Sequence, residues 1–256
     1  TVYLWGYNGY YPVAMIKGSD WNSVKNKTDT SGLNDGDFMQ IRKKLVSFRL
    51  ECRDVPNIFI NTYEYKPLIG LDYIRDQSKR IFDYEYDGLG RLCRTFVRNG
   101  TTHKKELLSS YSYSYGSSAG SNRIQARDYL SADATSFKET NTYHDLLGRP
   151  IETVLTAASP AGKDIVFLNE YDDFGRPYSE YLPVPVATSA GGYADPSKIK
   201  VANSFYNWEV YAFSKTLYDD SPLDRPVEEY GPGSPWHTRG KSVKTAYLVN
   251  EDSGLL

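Results

Sequence analysis

The sequence predicts a mainly β fold, built from antiparallel β-hairpin repeats with small α-helical insertions, and three observations carry that prediction. Tyrosine is abundant, with 23 residues beside only 2 methionines. Short runs of alternating polarity are punctuated by 20 glycines and 13 prolines. A brief pattern of Asp, Gly and Arg recurs at the ends of such runs. Tyrosine suits a half-buried pleated surface, where the ring packs on neighbours while the hydroxyl reaches water or a carbonyl. Many short strands joined by turns fit these signals; a helical bundle or a doubly wound α/β enzyme does not.

Taken in order, residues 1–16 mix aromatic and small residues around Gly6, Asn8-Gly9 and Pro12, as a strand–turn–strand would. A short helix is expected over 19–26, capped by Ser19 or Asp20. A clearer helix runs from Asp35 or Gly36 to Phe48. Its Phe38, Ile41, Leu45 and Phe48 share one face of a 3.6-residue repeat, which is expected to cover a sheet, while Arg42, Lys43 and Lys44 point elsewhere. Strands then dominate from Ile58 to Tyr115, and the alternation Tyr111-Ser112-Tyr113-Ser114-Tyr115 places three rings on one face. The Gly/Ser-rich stretch 116–122 is the best linker. Strands resume near Arg127 and continue to the end, with one helical interruption opened by Asp195-Pro196 and running to about Tyr206. The organisation expected is a strand pair with a helical insertion over 1–60, a β segment of repeats over 61–115, and a β domain over 116–256.

A chain of 256 residues can bury a sizeable core. Its 30 Lys+Arg against 32 Asp+Glu argue against nucleic acid as a partner, since phosphate binding needs a concentrated basic face. No apolar run approaches a membrane span. Cys52 and Cys93 are either a disulfide pair or two buried small hydrophobes. Thr1 opens inside a strand-like run and Leu256 ends the chain abruptly, as in a piece of a longer protein.

The recurring pattern reads Tyr86-Asp87-Gly88-Leu89-Gly90-Arg91-Leu92, then Tyr143-His144-Asp145-Leu146-Leu147-Gly148-Arg149-Pro150, then Tyr171-Asp172-Asp173-Phe174-Gly175-Arg176-Pro177. A degenerate copy follows from Tyr218-Asp219 to Arg225-Pro226, and a weaker one spans Asp76 to Arg80 with Lys79 where Gly would stand. Each residue type has a mechanical task. Asp accepts a hydrogen bond from the backbone two residues on. Gly permits the positive φ of a tight reversal. Arg lays its guanidinium on a tyrosine of the neighbouring strand. The residues singled out are therefore the turn residues Asp87, Gly90, Arg91, Asp145, Gly148, Arg149, Asp172, Gly175 and Arg176.

This Tyr-Asp-x-x-Gly-Arg pattern resembles the YD repeat of the Rhs family of large secreted bacterial proteins, and with it repeats of insecticidal toxin-complex shells and teneurins. Tyr65 to Gly70 followed by Tyr84 to Asp87, and further upstream Tyr3 to Asn8, resemble the segments that lead into such repeats. The stretch from Leu147 to Leu223, with Phe205-Tyr206 and Tyr230-Gly231-Pro232-Gly233, resembles an Rhs-associated domain of unassigned activity. The resemblance implies a ribbon of β-sheet that encloses or presents a toxin cargo, or mediates surface contact, as part of a larger secreted or surface-displayed assembly. This chain departs from the full pattern in its few copies, its helical insertions and its lack of a separate effector or a shell-closing autoproteolytic segment. It is too small to enclose cargo alone.

No reaction is announced, so no catalytic residue and no cofactor are expected. His103, His144 and His237 stand far apart with no metal-ligand spacing, and His144 replaces the tyrosine of the other copies. The acidic pairs Asp172-Asp173, Asp219-Asp220 and Glu228-Glu229 invite a glycosidase reading, but neighbours on a strand point to opposite faces and turn acids explain the first two pairs. The alternative to a scaffold is glycan binding, with Trp5, Trp21, Trp208 and Trp236 as candidate stacking platforms.

Overall fold

A computed structural model describes residues 1–18, 21–25, 32–33, 38–98, 102–118, 120–187 and 190–248. The chain is mainly β, with sixteen antiparallel strands among the described residues and only short helices. It divides into two compact units, 1–111 with 127–137, and 112–126 with 138–256.

In the first unit, β1 (Val2–Gly6) and β2 (Tyr11–Lys17) form the expected hairpin, followed by α1 (Trp21–Lys25) and α2 (Phe38–Glu51). Then come β3 (Phe59–Lys66), β4 (Gly70–Arg75), β5 (Ile81–Tyr86), β6 (Leu92–Arg98) and β7 (Lys105–Ser114), each paired to the one before. Period-two alternation sorts the faces. Ala14, Ile16, Ile60 and Thr62 turn inward, and α2 lays Ile41, Leu45 and Phe48 into the same core with Val13, Val24 and Cys52. Arg49 latches the end of α2 to the sheet, donating to the carbonyls of Ile60 (2.6 Å), Arg75 (3.2 Å) and Asp76 (2.7 Å).

Several expectations need correction here. The expected helix start at Asp35 or Gly36 and the caps at Ser19 and Asp20 fall outside the described residues, while α2 ends at Glu51 rather than Phe48, because Arg49 still has backbone acceptors to reach. Phe38 is only half-buried, with the Arg42 guanidinium 6.0 Å from its ring centre. β7 stops at Ser114, so Tyr115 lies beyond the strand and the row of three rings shrinks to Tyr111 and Tyr113. Cys52 and Cys93 form no disulfide; Cys52 is fully buried under α2 and Cys93 half-buried in β6.

After β8 (Arg123–Tyr129), the second unit is built on β9 (Phe137–His144), β10 (Pro150–Leu155), β11 (Asp164–Tyr171), β12 (Pro177–Tyr181) and β13 (Val184–Val186). β11 is shared: its first half pairs with β13 and its second half with β12. α3 (Pro196–Lys200) and a 3-10 turn (Ala202–Tyr206) precede β14 (Phe213–Tyr218), β15 (Pro226–Tyr230), α4 (Ser234–Thr238) and β16 (Val243–Lys244). Tyr143, Val154, Val166, Leu168, Val184, Ala194 and Ile199 form the core.

In the stretch expected to be a linker, the described residues on either side of 119 meet, the Gly116 N–H donating to Asn122 Oδ1 at 3.0 Å. The helix expected to continue to Tyr206 is broken. Asp195 caps it as foreseen, accepting from the Ser197 N–H at 2.9 Å, but Val201 ends it. Valine, Asn203 and Ser204 are weak helix formers, and the Tyr206 hydroxyl is drawn to the Pro183 carbonyl. α4 was not foreseen, although Gly233 followed by Ser234-Pro235 carries the N-terminal proline signal.

Leu45→Ala is expected to destabilise the first unit by about 2–4 kcal/mol, since it empties a fully buried site between α2 and the sheet. Urea unfolding with the wild-type chain as reference measures it.

Candidate functional site

Five reversals among the described residues share one hydrogen-bond scheme, at 76–80, 87–91, 145–149, 172–176 and 219–225. In each, the Asp N–H donates to the Arg carbonyl at 2.9–3.0 Å, closing the hairpin. The carboxylate then ties the interior. Oδ1 of Asp87, Asp145 and Asp172 accepts from the N–H two residues on (Leu89, Leu147, Phe174) at 2.9–3.0 Å and from the Arg N–H at 2.9–3.0 Å. Oδ2 accepts Nε of Arg91, Arg149 or Arg176 at 2.7 Å. Arg80 and Arg225 repeat that contact with Asp76 and Asp219 at 2.8 Å.

The residue before the arginine takes a positive φ every time: Gly90 (77°), Gly148 (82°) and Gly175 (87°), but also Lys79 (64°) and Asp224 (50°). A side chain is thus tolerated there at a cost, which glycine avoids. Sequence reading missed a sixth relative at 159–163. Ser159 Oγ replaces the carboxylate and accepts from the Lys163 N–H at 2.7 Å, with Gly162 at φ 69°. The available signal was Ser-x-x-Gly-Lys, an attenuated form of the same spacing.

The four carboxyls Asp87, Asp145, Asp172 and Asp219 all lie below their ordinary pKa. At Asp87 the Arg91 side chain is the main cause and at Asp219 the Ser221 hydroxyl; at Asp145 and Asp172 burial opposes, but the backbone and the arginine outweigh it. Depressed values mean that the contribution is whole above the unfolded carboxylate range and is lost as pH falls below about 4.

The motif's tyrosine works between hairpins. Each of Tyr65, Tyr86, Tyr171 and Tyr218 stands at a register shift whose extra residue (Asp72, Cys93, Tyr178 and Val227, respectively) lies in the returning strand. Its hydroxyl donates to a carbonyl just past a previous reversal: Pro12 (3.0 Å), Leu71 (2.8 Å), Pro150 (2.9 Å) and Pro177 (2.8 Å), respectively. The preceding arginine covers the ring, with Arg149 4.4 Å from Tyr171 and Arg176 4.6 Å from Tyr218. A Cβ on Gly70 would stand 2.5 Å from the Tyr86 oxygen, so only glycine allows that approach. Turn, arginine and next tyrosine thus form one stitched edge.

The candidate tryptophans fall in both units. Trp5 is 53% exposed on β1 of the first unit. In the second, Trp208 is 74% exposed past the 3-10 turn, and Trp236 on α4 folds over Gly231. The side chain of Trp21 lies outside the described residues. His103 and His237 belong to different units; the His237 ring stacks on Tyr211 at 4.6 Å and Tyr230 at 5.4 Å. No group of three or more His, Cys, Asp or Glu among the described residues could hold a metal ion.

Two buried carboxylates of the second unit escaped sequence reading. Glu152 is 0% exposed on β10 and accepts from the Ala194 N–H at 2.8 Å. Asp164 accepts from the Ala157 N–H at 2.6 Å and the Gly191 N–H at 2.9 Å, and the Tyr143 hydroxyl donates to the Gly191 carbonyl at 2.7 Å. Together they pin residues 190–194 as a strap across the sheet. Burial pushes the Glu152 carboxyl up to about 7, against the pull of the Ala194 N–H.

Two outcomes follow. Gly175→Val is expected to cost about 2 kcal/mol, from a branched side chain at positive φ whose Cβ would lie 2.8 Å from Arg149 Nη1. Gly90→Val, with open space at its Cβ, should cost less; paired thermal melts compare them. For Glu152, the raised value means that folding favours the neutral acid. Stability is whole below pH 4.5 and is lost as pH rises through about 7. Glu152→Gln should remove about 2–3 kcal/mol of that pH dependence, read from denaturation midpoints across the window.

Comparison with known proteins adds a family and two distant structures. A search of curated proteins gives no match. A crystal structure of TcdB2-TccC3 is similar at 13% identity and a TM-score of 0.47, over 67% of this chain and 10% of that one. A structure of TcdB2-TccC3-TEV is similar at 15% identity and a TM-score of 0.39, over 69% and 7%. The chain therefore spans about a tenth or less of the length of either. A family profile matches residues 117–249, which include three of the Asp–Arg reversals. Since that match covers more than half of its length, the chain belongs to the family described as Domain of unknown function (DUF6443).

Proposed function

We propose that the chain is a structural wall segment of a larger Rhs-like, YD-repeat protein that is secreted or displayed on a bacterial surface. It acts as a scaffold that presents or encloses a toxin cargo or makes surface contact, and it is not an enzyme. The observation that carries this reading is the stitched edge. Asp, Gly and Arg are consumed in reversals, and Tyr65, Tyr86, Tyr171 and Tyr218 are each bound to the hairpin before them, so the repeated residues make architecture. The two buried carboxylates of the second unit hold backbone N–H groups of a strap, as a structural role requires. The family match gives no activity, and the sequence resemblance to YD repeats supports the larger assembly and its location.

In the native host, an antibody to this segment is expected to detect a polypeptide longer than 256 residues, exported or accessible to protease added outside intact cells. A species of the segment's own size that is shielded from external protease would overturn the reading.

A further inference from the structure

One rung of the tyrosine ladder is missing. At the reversal 145–149 the ladder position is held by His144, which sits opposite Pro150 as Tyr171 sits opposite Pro177 and Tyr218 opposite Pro226. Where those phenols reach back to a carbonyl of the preceding hairpin, the shorter imidazole of His144 makes no hydrogen bond to another described residue; only its backbone N–H is engaged, donating to the Asn122 carbonyl at 2.8 Å. A pocket of about 370 Å³ opens here, lined by His144, Asp145 and Leu146 on one side and Ser114, Tyr115, Asn122, Arg123 and Ile124 on the other. That volume lies at the small end of the range for ligand sites.

The chemistry of the lining restricts the occupant. Asp145, its one carboxylate, is saturated by the Leu147 and Arg149 N–H groups and the Arg149 guanidinium. Arg123, on the other side, is its one permanent cation and can donate to a ligand oxygen. Beside it lie a histidine ring, the Ser114 hydroxyl, a Tyr115 ring that is 71% exposed, and the apolar Ile124 and Leu146, the latter 75% exposed. An apolar platform beside neutral hydrogen-bonding groups complements a ligand with one apolar face and a rim of hydroxyls. We propose that this pocket binds a single neutral pyranose ring, seated against Tyr115 and hydrogen-bonded by His144. The inference is independent of the wall reading and uses none of the tryptophans.

The test uses the full chain, whose 3 histidines give a readable set of imidazole NMR signals. The probes are the methyl glycosides of glucose, galactose and N-acetylglucosamine, with inorganic phosphate as the anion. At least one glycoside is expected to shift the His144 signal saturably, with a dissociation constant on the order of 1 mM, while His103 and His237 stay in place. His144→Tyr refills the rung, so it should keep or raise the melting temperature while abolishing saturation transfer to the bound sugar. Silence with all the glycosides, a response to phosphate alone, or sugar binding undiminished in His144→Tyr would each overturn the proposal.

Discussion

The structure depends on a carboxylate that collects its donors from inside a single reversal. In Asp87, Asp145 and Asp172, one oxygen gathers two backbone N–H groups and the other takes the arginine of the same turn. An isolated hairpin is marginal in water because few contacts offset the entropy of ordering it. Here the turn is determined by its own side chain, so the register of the two strands follows from where the aspartate falls. The arginine is held by its Nε and Nη2, which leaves the flat guanidinium aligned to lie on the next tyrosine. Local closure and contact between hairpins therefore share one residue, and neither forms well without the other.

The register shift before each motif tyrosine has a physical sense in the same scheme. The extra residue lies in the returning strand, Tyr178 of β12 in the case of Tyr171, and it is that strand which bends and twists more strongly. β11 keeps its alternation, and the Tyr171 hydroxyl meets the Pro150 carbonyl. The proline after Arg149 and Arg176 fits there, since it lacks an N–H that the irregular pairing would leave unsatisfied.

Much of the fold was legible because the signals are local. The hairpin of β1 and β2, the inward face of α2, the dominance of strands and the positions of the Asp–Arg reversals all follow from residue types within a few positions of one another. What could not be read depends on distant partners. Arg49 prolongs α2 because carbonyls of β3 and β4 lie within its reach. Glu152 and Asp164 look like ordinary strand acids until the strap at 190–194 covers them. The arginine-on-tyrosine contact was anticipated in kind, but its direction, from Arg149 and Arg176 to the tyrosines that open the next turns, needed coordinates.

The phenol-to-carbonyl links run between neighbouring strands, alongside their backbone ladder, and this has a mechanical consequence. A plain meander can be peeled from its edge one hairpin at a time, each step breaking only a single ladder. In this ribbon, lifting the hairpin that carries Tyr218 also tears its bond to Pro177 and uncovers Arg176, which in turn loosens the reversal at Asp172. In that part of the second unit, peeling one hairpin therefore breaks a ladder, a phenol link and an arginine cover together.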